Sequence, residues 1–159
     1  MKQRVLFVCL GNICRSPAAE GIMQKLVEGE GLSDRIEVDS AGTYGGHAGD
    51  AADPRMRRAA AARGYDLTSR SRKIVSDDFD RFDRIVVMDD TNYERVHRMA
   101  PDIASAEKIC RMTDFCRRHR ADHVPDPYYE GADGFERVLD LLEDACAGLL
   151  DDMRGLVRD

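Results

Sequence analysis

The sequence predicts an α/β domain in which a parallel sheet is covered by helices on both faces. Short runs of apolar, β-branched residues alternate along the chain with segments of helical periodicity, and this alternation is typical of parallel α/β folds. The 159 residues contain no internal repeat, low-complexity tract or linker, and a chain of this length can bury a sizeable core. We therefore predict one domain over residues 1–159.

The first predicted unit is a strand, a tight loop and a helix. Residues 4–8 (RVLFV) are short, apolar and β-branched, which indicates a buried strand. Ser16 suits the N-cap of the helix, and Pro17 suits its first position, where a missing N–H costs nothing. Helical spacing then continues to Gly29 and Gly31, which favour a helix end.

The second predicted unit pairs a strand at residues 36–39 with an Ala-rich helix at residues 55–63. Asp53 and Pro54 suit the N-cap and first turn of that helix, and Gly64 suits its end. A glycine-rich loop separates the strand from the helix.

The third predicted unit begins at residues 84–88 (RIVVM), the clearest strand after the first. Thr91 and Glu94 form a possible capping box for a helix that ends before Pro101. A weaker strand is predicted around residues 108–112.

The last predicted helix has the clearest amphipathic pattern. Asp133 and Glu136 can cap its start. Eight apolar residues then recur at helical spacing on one face: Phe135, Val138, Leu139, Leu142, Cys146, Leu149, Leu150 and Met153.

Charge and hydropathy argue against two classes of partner. The formal net charge of -6 argues against nucleic acid, because binding to a phosphate backbone needs a broad basic surface. The first apolar run, residues 5–10, is too short for a membrane span or a signal-peptide core. We therefore expect neither nucleic-acid binding nor membrane insertion.

The cysteines predict a reducing environment. Their number is odd, their spacing is irregular and no export signal precedes them, so free thiols in the cytoplasm are favoured over a disulfide framework. The five are Cys9, Cys14, Cys110, Cys116 and Cys146.

The loop after the first strand, residues 9–16 and called the phosphate loop below, carries a pattern suited to phosphate chemistry. Ligands of parallel α/β sheets collect where strands end and helices begin. Five residues separate Cys9 from Arg15, and two of them, Gly11 and Asn12, tolerate left-handed backbone angles. The N–H groups of such a loop can form an anion nest, and Arg15 can add a bidentate fork. The same field favours the thiolate form of Cys9, and Ser16 could donate a hydrogen bond to it.

The spacing alone is weak evidence, since chance would produce it roughly half the time in so arginine-rich a chain. The alternative is a buried cysteine with an incidental arginine. The preceding strand, the internal Gly and Asn and the following Ser-Pro are independent requirements, and the sequence meets them all.

A general acid is expected because expulsion of an alkoxide or phenoxide is easier with a proton supplied. Asp53-Pro54 is fully explained by helix capping. Asp126-Pro127 lies in an extended stretch before Tyr128 and Tyr129, where aromatic side chains can line a cleft around the carboxyl group. Asp126 is therefore the candidate acid, and a plain turn residue is the alternative.

These residues together resemble the low-molecular-weight protein tyrosine phosphatase family. VCLGNICRSPAAE near the start, VDSAGT at residues 38–43, VVMD at residues 86–89 and DPYY at residues 126–129 match its pattern in order and spacing. The resemblance covers essentially the whole chain.

The resemblance implies a three-layer fold of the phosphotyrosine phosphatase I type, with a twisted, four-stranded parallel sheet, and no metal or organic cofactor. It assigns the nucleophile to Cys9, the transition-state clamp to Arg15, the sulfur-stabilising hydroxyl to Ser16 and the general acid and base to Asp126. The implied substrate is a phosphotyrosine protein or small aryl phosphate, the product is inorganic phosphate, and a cognate tyrosine kinase is a candidate partner.

The resemblance also implies supporting residues. Asn12 and Ser40 match residues that hold the loop in a strained shape, Asp89 matches a carboxylate near the cleft, and Cys14 matches a cysteine that can form a reversible disulfide with Cys9. The full expected substrate-binding set is Leu10, Gly11, Asn12, Ile13, Cys14, Ser16, Ser40, Tyr128 and Tyr129.

Two departures from the family pattern concern the surroundings of the loop. Many members place a large aromatic residue near Gly46 as one wall of the substrate slot, and here only Tyr44 and His47 are available. Many also carry a histidine within residues 68–72, and this sequence has none. The first departure leaves substrate preference open.

Related activities are less favoured. Arsenate reductases that resemble this family need two relay cysteines, and Cys110 and Cys116 lie too close to Asp126 for that pattern. Protein-arginine phosphatases usually have Thr where this loop has Ile13. A non-catalytic phosphate-binding module would be expected to lose part of the site, and none is lost.

A zinc site is a further alternative, formed by Cys110, Cys116, His119 and His123. Their spacing differs from that of zinc fingers, and three neighbouring arginines would repel a dication. A solvated basic turn is the favoured interpretation.

Overall fold

The predicted parallel sheet is present in the computed structural model, which describes residues 2–157. Four parallel strands lie in the order β2-β1-β3-β4. They are β1 (Gln3–Cys9), β2 (Ile36–Gly42), β3 (Arg84–Val87) and β4 (Ile109–Arg111). The α-helices are α1 (Arg15–Gly29), α2 (Pro54–Ala62), α3 (Asp77–Arg81), α4 (Asp90–Met99), α5 (Ile103–Ala106) and α6 (Ala132–Val157), and a 3₁₀ turn spans Met112–Phe115.

Helices cover both faces of the sheet, as predicted. Alternate residues of β1 enter two separate apolar cores, with Val5 and Phe7 in one and Leu6 and Val8 in the other. Helices α1, α2 and α6 complete the first core, and α3 and α4 complete the second. All eight apolar residues predicted on one face of the last helix are buried. The fold is therefore a three-layer α/β sandwich.

The sequence placed three helix starts incorrectly. Helix α1 begins at Arg15, so Ser16 lies inside its first turn and not at the N-cap. Helix α4 is capped by Asp89, whose carboxylate accepts a hydrogen bond from the Asn92 N–H at 2.8 Å, and not by Thr91. Helix α6 begins at Ala132, so Asp133 lies in its first turn. The cap by Asp53 is confirmed, since Asp53 accepts from the Arg55 N–H.

Further differences are short elements and strand ends. The sequence predicted neither α3 nor α5, whose five and four residues are too few for a periodic pattern. Strand β2 extends to Gly42, three residues beyond the prediction, because it pairs with β1 as far as Cys9. None of the helices within residues 2–157 combines the length and apolar character that a membrane crossing requires.

Candidate active site

The phosphate loop begins at the carboxyl end of a central strand. Cys9 is the last residue of β1, which lies between β2 and β3. Strand β2 pairs with one edge of β1, and β3 pairs with the other edge. The loop after β1 therefore occupies the crevice where the strand order reverses. Cys9 is only 3% exposed and Arg15, at the start of α1, only 2%. The fold therefore brings the thiol and the guanidinium to one buried position.

The carbonyl groups of the phosphate loop are bound by the surrounding protein. Five of these carbonyl oxygens accept hydrogen bonds. The Cys9 oxygen accepts from the Thr43 N–H (3.0 Å), the Leu10 oxygen from the Tyr44 N–H (2.9 Å) and the Gly11 oxygen from the Ser71 hydroxyl (2.9 Å). The Ile13 oxygen accepts from the Asp53 N–H (2.7 Å), and the Cys14 oxygen accepts from the Ala18 N–H (3.2 Å). In a planar trans peptide the following N–H points opposite to the carbonyl. The N–H groups after these carbonyls are thus directed into the cleft, where they suit an anion.

The loop is held in shape by Asn12, whose φ of 55° lies in the left-handed region. Its amide nitrogen donates to the Ser16 hydroxyl at 2.8 Å and to the Ser40 hydroxyl at 3.0 Å, and its amide oxygen accepts from the Arg72 N–H at 3.0 Å. Three partners from separate segments therefore stabilise a backbone conformation that is otherwise unfavourable for a residue with a side chain.

Gly42 allows the end of β2 to approach the loop closely. A Cβ at this position would lie 2.7 Å from the Leu10 carbonyl oxygen and 3.1 Å from the Asn12 nitrogen. Any other residue would push β2 away from the phosphate loop and disturb the neighbouring Ser40. This close approach accounts for the glycine in the VDSAGT segment.

The Cys9 sulfur lies 3.0 Å from the Ser16 hydroxyl oxygen. Because Asn12 donates to that oxygen, the Ser16 proton is available for the sulfur. The positive end of α1 lies in the same place, and its first turn contains no acidic residue. A hydrogen-bond donor and positive potential thus surround the sulfur, which are the surroundings typical of nucleophilic cysteines.

Arg15 is fixed by two carboxylates and one carbonyl. Its Nη1 donates to Asp89 at 2.7 Å and to the Val124 carbonyl at 3.0 Å, and its Nη2 lies 3.6 Å from Asp126. Burial opposes the charged form, but the nearby Cys9 and the hydrogen bond with Asp89 outweigh burial and raise the pKa of Arg15. The guanidinium is therefore a permanent cation at the base of the cleft.

Asp126 lines the cleft, with 40% of its side chain exposed. One of its oxygens accepts a hydrogen bond from the Tyr128 N–H at 3.1 Å. The other lies 3.6 Å from Arg15 Nη2, so two of the three residues predicted to act on the substrate are in contact.

The cleft has a volume of about 230 Å³. It is lined by Cys9, Leu10, Gly11, Ile13, Cys14, Arg15, Tyr44, His47, Asp126, Tyr128 and Tyr129. Three residues expected in the substrate-binding set do not line the cleft. Asn12 and Ser16 are buried within the phosphate loop, and Ser40 is buried on β2, where it accepts a hydrogen bond from Asn12.

Three residues that contribute to the site were outside the predicted set. Tyr44 and His47 line the cleft, with their rings edge to face at 6.1 Å. Glu20 is buried behind the loop and accepts a hydrogen bond from Ser40. Its position four residues after Ser16, on the same side of α1, is the signal that could have indicated it.

The other thiols differ from Cys9 in their surroundings. Burial, reinforced by Asp53, raises the pKa of Cys14, and burial raises the pKa of Cys110 and of Cys116 to about 11 each. All five cysteines are unpaired. Within residues 2–157, no three His, Cys, Asp or Glu side chains lie close enough together to hold a metal ion.

Comparison with known proteins agrees with this geometry. Residues 4–158 match the family model described as low molecular weight phosphotyrosine protein phosphatase. A low molecular weight protein-tyrosine-phosphatase of Streptomyces coelicolor is 43% identical over 94% of this chain and 93% of its own. The human low molecular weight phosphotyrosine protein phosphatase is 33% identical over 92% and 93%. A crystal structure of a protein tyrosine phosphatase from Entamoeba histolytica superposes with a TM-score of 0.94 at 47% identity, over 97% and 98% of the two chains.

Proposed function

This chain belongs to the low molecular weight phosphotyrosine protein phosphatase family, and we propose that it hydrolyses phosphotyrosine with Cys9 as nucleophile, Arg15 as clamp and Asp126 as acid and base. The observation that carries this proposal is the arrangement of the phosphate loop. Five of its carbonyls are bound by the surrounding protein, a buried arginine lies beside it, and a thiol lies at its base.

In the first step the Cys9 sulfur attacks phosphorus, and an S–P bond forms as the bond to the tyrosyl oxygen breaks. The loop N–H groups and Arg15 stabilise the charge on the three equatorial oxygens. Asp126 supplies a proton to the leaving phenolic oxygen. Its exposed position at the cleft mouth, near Arg15, suits this role.

In the second step water attacks phosphorus and breaks the S–P bond. Asp126, now a carboxylate, accepts the proton from that water. Inorganic phosphate leaves, and Cys9 returns as a thiolate that the Ser16 hydroxyl stabilises. One carboxyl group thus serves as acid and then as base.

The aromatic residues at the mouth support an aryl substrate. Tyr44 and His47 lie on one side, and Tyr128 and Tyr129 lie beside Asp126. A flat ring can pack between such side chains while its phosphate reaches the loop. Because the reaction consumes phosphotyrosine, a tyrosine kinase must act before it, and a cognate kinase is part of this proposal.

The unpaired cysteines support a reducing compartment, and we place the protein in the cytoplasm on that ground. The disulfide between Cys9 and Cys14 remains a prediction. Both thiols are buried, at 3% and 4% exposure, and neither is paired.

Replacement of the nucleophile tests the mechanism. Cys9→Ser should abolish turnover of a phosphotyrosine peptide, because a serine hydroxyl in this loop is a far weaker nucleophile than a thiolate. Phosphate affinity should persist, as measured by calorimetry. Cys110→Ser, on β4 and outside the cleft, is the matched control and should keep full activity. Turnover by Cys9→Ser near that of Cys110→Ser would refute the mechanism.

A further inference from the structure

Glu20 is a buried acid that the proposed chemistry does not use. It lies on α1, one turn after Ser16, and is 7% exposed. Three donors converge on it: the Ser40 hydroxyl at 2.5 Å from Oε1, the Gln24 amide at 3.4 Å from Oε2 and the Ser69 hydroxyl. Burial raises the pKa of Glu20, and the hydrogen bond from Ser40 opposes this rise.

Among residues 2–157, no cation forms an ion pair with Glu20. The charged groups that act on it are Asp39 and Arg72, and the Arg72 guanidinium is already bound by Asp39 and Asp78. The carboxylate is therefore stabilised by hydroxyl and amide donors. Because a carboxylate can only accept, each of these groups must point a proton at Glu20.

A chain of hydrogen bonds leads from Glu20 to the nucleophile. The Ser40 hydroxyl has one proton, which it donates to Glu20, so toward Asn12 it can only accept. The Asn12 nitrogen donates one proton to Ser40 and the other to Ser16. The Arg72 N–H bound to its oxygen prevents the Asn12 amide from turning over.

The Ser16 hydroxyl, the last donor of the chain, has two possible acceptors. Ser16 already accepts from Asn12, so its own proton can go to the Cys9 sulfur at 3.0 Å or to the Ala41 carbonyl oxygen at 3.4 Å. The shorter contact, and a negative charge on sulfur, favour the first. This choice depends on Asn12 remaining a donor to Ser16.

We propose that Glu20 is a positioning residue that fixes the direction of this hydrogen-bond chain and so keeps the Ser16 proton on the Cys9 sulfur. The proposal rests on the proposed function only in taking Cys9 as the nucleophile. With a neutral amide at position 20, Ser40 can accept from that amide and turn its own proton toward Asn12. Asn12, which Arg72 prevents from turning over, then faces a donor where it had an acceptor. Its amide is pushed out of place, its hydrogen bond to Ser16 weakens, and the thiolate loses part of its stabilisation.

The test measures Cys9 without requiring turnover. Glu20→Gln keeps the shape of the side chain and removes its charge. Alkylation of Cys9 by iodoacetamide, followed by mass spectrometry, should slow about tenfold at pH 6, since a hydrogen bond to a charged group has that order of effect. At pH 9 the rate should match that of the unsubstituted protein, because alkylation of an ordinary thiol needs no such hydrogen bond at that pH. A role confined to stability would change neither rate.

Three further variants complete the test. Glu28→Gln removes the same charge from an exposed position on α1 and should leave both rates unchanged. Ser40→Ala breaks the chain at its second link and should slow alkylation at pH 6 by a similar factor. The double variant Glu20→Gln, Ser40→Ala should be no slower than either single one, because both act through the same link.

Several results would overturn the proposal. One is a pair of alkylation rates for Glu20→Gln, at pH 6 and pH 9, that match those of Glu28→Gln. Another is a double variant in which the two decreases in alkylation rate at pH 6 multiply. If Glu20→Gln does not fold, an unchanged profile for Ser40→Ala has the same meaning. Failure of the proposed function is distinguishable, since it would appear as full phosphatase activity in protein whose Cys9 is completely alkylated.

Discussion

The base and the mouth of the cleft are built in different ways. At the base, Cys9, Asn12, Arg15 and Ser16 are buried. The backbone and side chains of the phosphate loop are bound by β2 and the residues that follow it, by the N-cap of α2 and by the segment around residue 71. At the mouth stand Tyr44, His47, Tyr128 and Tyr129, called the rim below. Tyr44 is 54% exposed and Tyr129 93%, and the rim rings pack edge to face in two pairs, Tyr44 with His47 and Tyr128 with Tyr129.

The difference follows from what each region has to do. Stabilisation of a phosphoryl group in the transition state needs dipoles that are already in place, because any reorganisation would add to the barrier. A flat ring needs only surfaces to pack against, and such contacts tolerate some motion. We therefore expect the base to determine the reaction and the rim to determine which phosphate esters are accepted.

Removal of the arginine should have the largest effect and tests the role of the base. Arg15→Ala loses two donor nitrogens and a buried charge. We expect kcat on a phosphotyrosine peptide to fall about 10³-fold or more, given the known cost of losing a single transition-state donor. The decrease should be accompanied by loss of phosphate affinity in calorimetry.

Arg58→Ala is the matched control, since Arg58 is exposed on α2 and lines no part of the cleft. A similar decrease in both variants would mean that the base acts through general positive charge and not through the fixed position of Arg15.

The acid should have the next largest effect, and its effect should depend on the substrate. Asp126→Asn keeps the size of the side chain but cannot supply a proton. Turnover of phenyl phosphate, a poor leaving group, should fall about 10²-fold. Turnover of para-nitrophenyl phosphate should fall much less, because nitrophenolate leaves without a proton. Equal losses for both substrates would exclude Asp126 as the acid.

The base was predictable because its chemistry is local in sequence. Cys9, Asn12 and Arg15 lie within one strand, loop and helix, and each residue type tolerates or favours what that turn requires. The partners of Asn12 were not predictable in the same way, since Ser40 and Arg72 come from distant segments. The resemblance supplied Ser40, and only the packing of β2 against the loop shows why that residue is needed.

The errors in helix capping have one physical cause. A hydroxyl or carboxyl group near a helix start has more than one possible hydrogen-bond partner, and the sequence alone does not indicate which partner it binds. Ser16 contacts the Cys9 sulfur and Asn12, so it is unavailable as a cap. Asp89 both caps α4 and binds Arg15, a double role that arises only when β3 and β1 are adjacent.

The rim was the least predictable part because exposed aromatic residues leave little pattern. The family pattern suggested that a wall was missing near Gly46. In the structure the Tyr44 ring lies over that glycine, and a Cβ at position 46 would be 2.1 Å from the ring. Because Gly46 has no side chain, the Tyr44 ring can occupy the position of the missing wall.

The smallest expected effect concerns this tyrosine. Tyr44→Ala should lower kcat/KM for a phosphotyrosine peptide by about five- to tenfold, the order expected from the loss of one aromatic contact. Inhibition by inorganic phosphate, which occupies only the base, should not change. Gly46→Ala should give a similar result, since the added methyl group displaces the Tyr44 ring.

Tyr93→Ala, on α4 and outside the cleft, is the control and should leave kcat/KM unchanged. A loss of phosphate inhibition in Tyr44→Ala or Gly46→Ala would contradict the separation of base and rim, because it would show that the rim also shapes the phosphate loop.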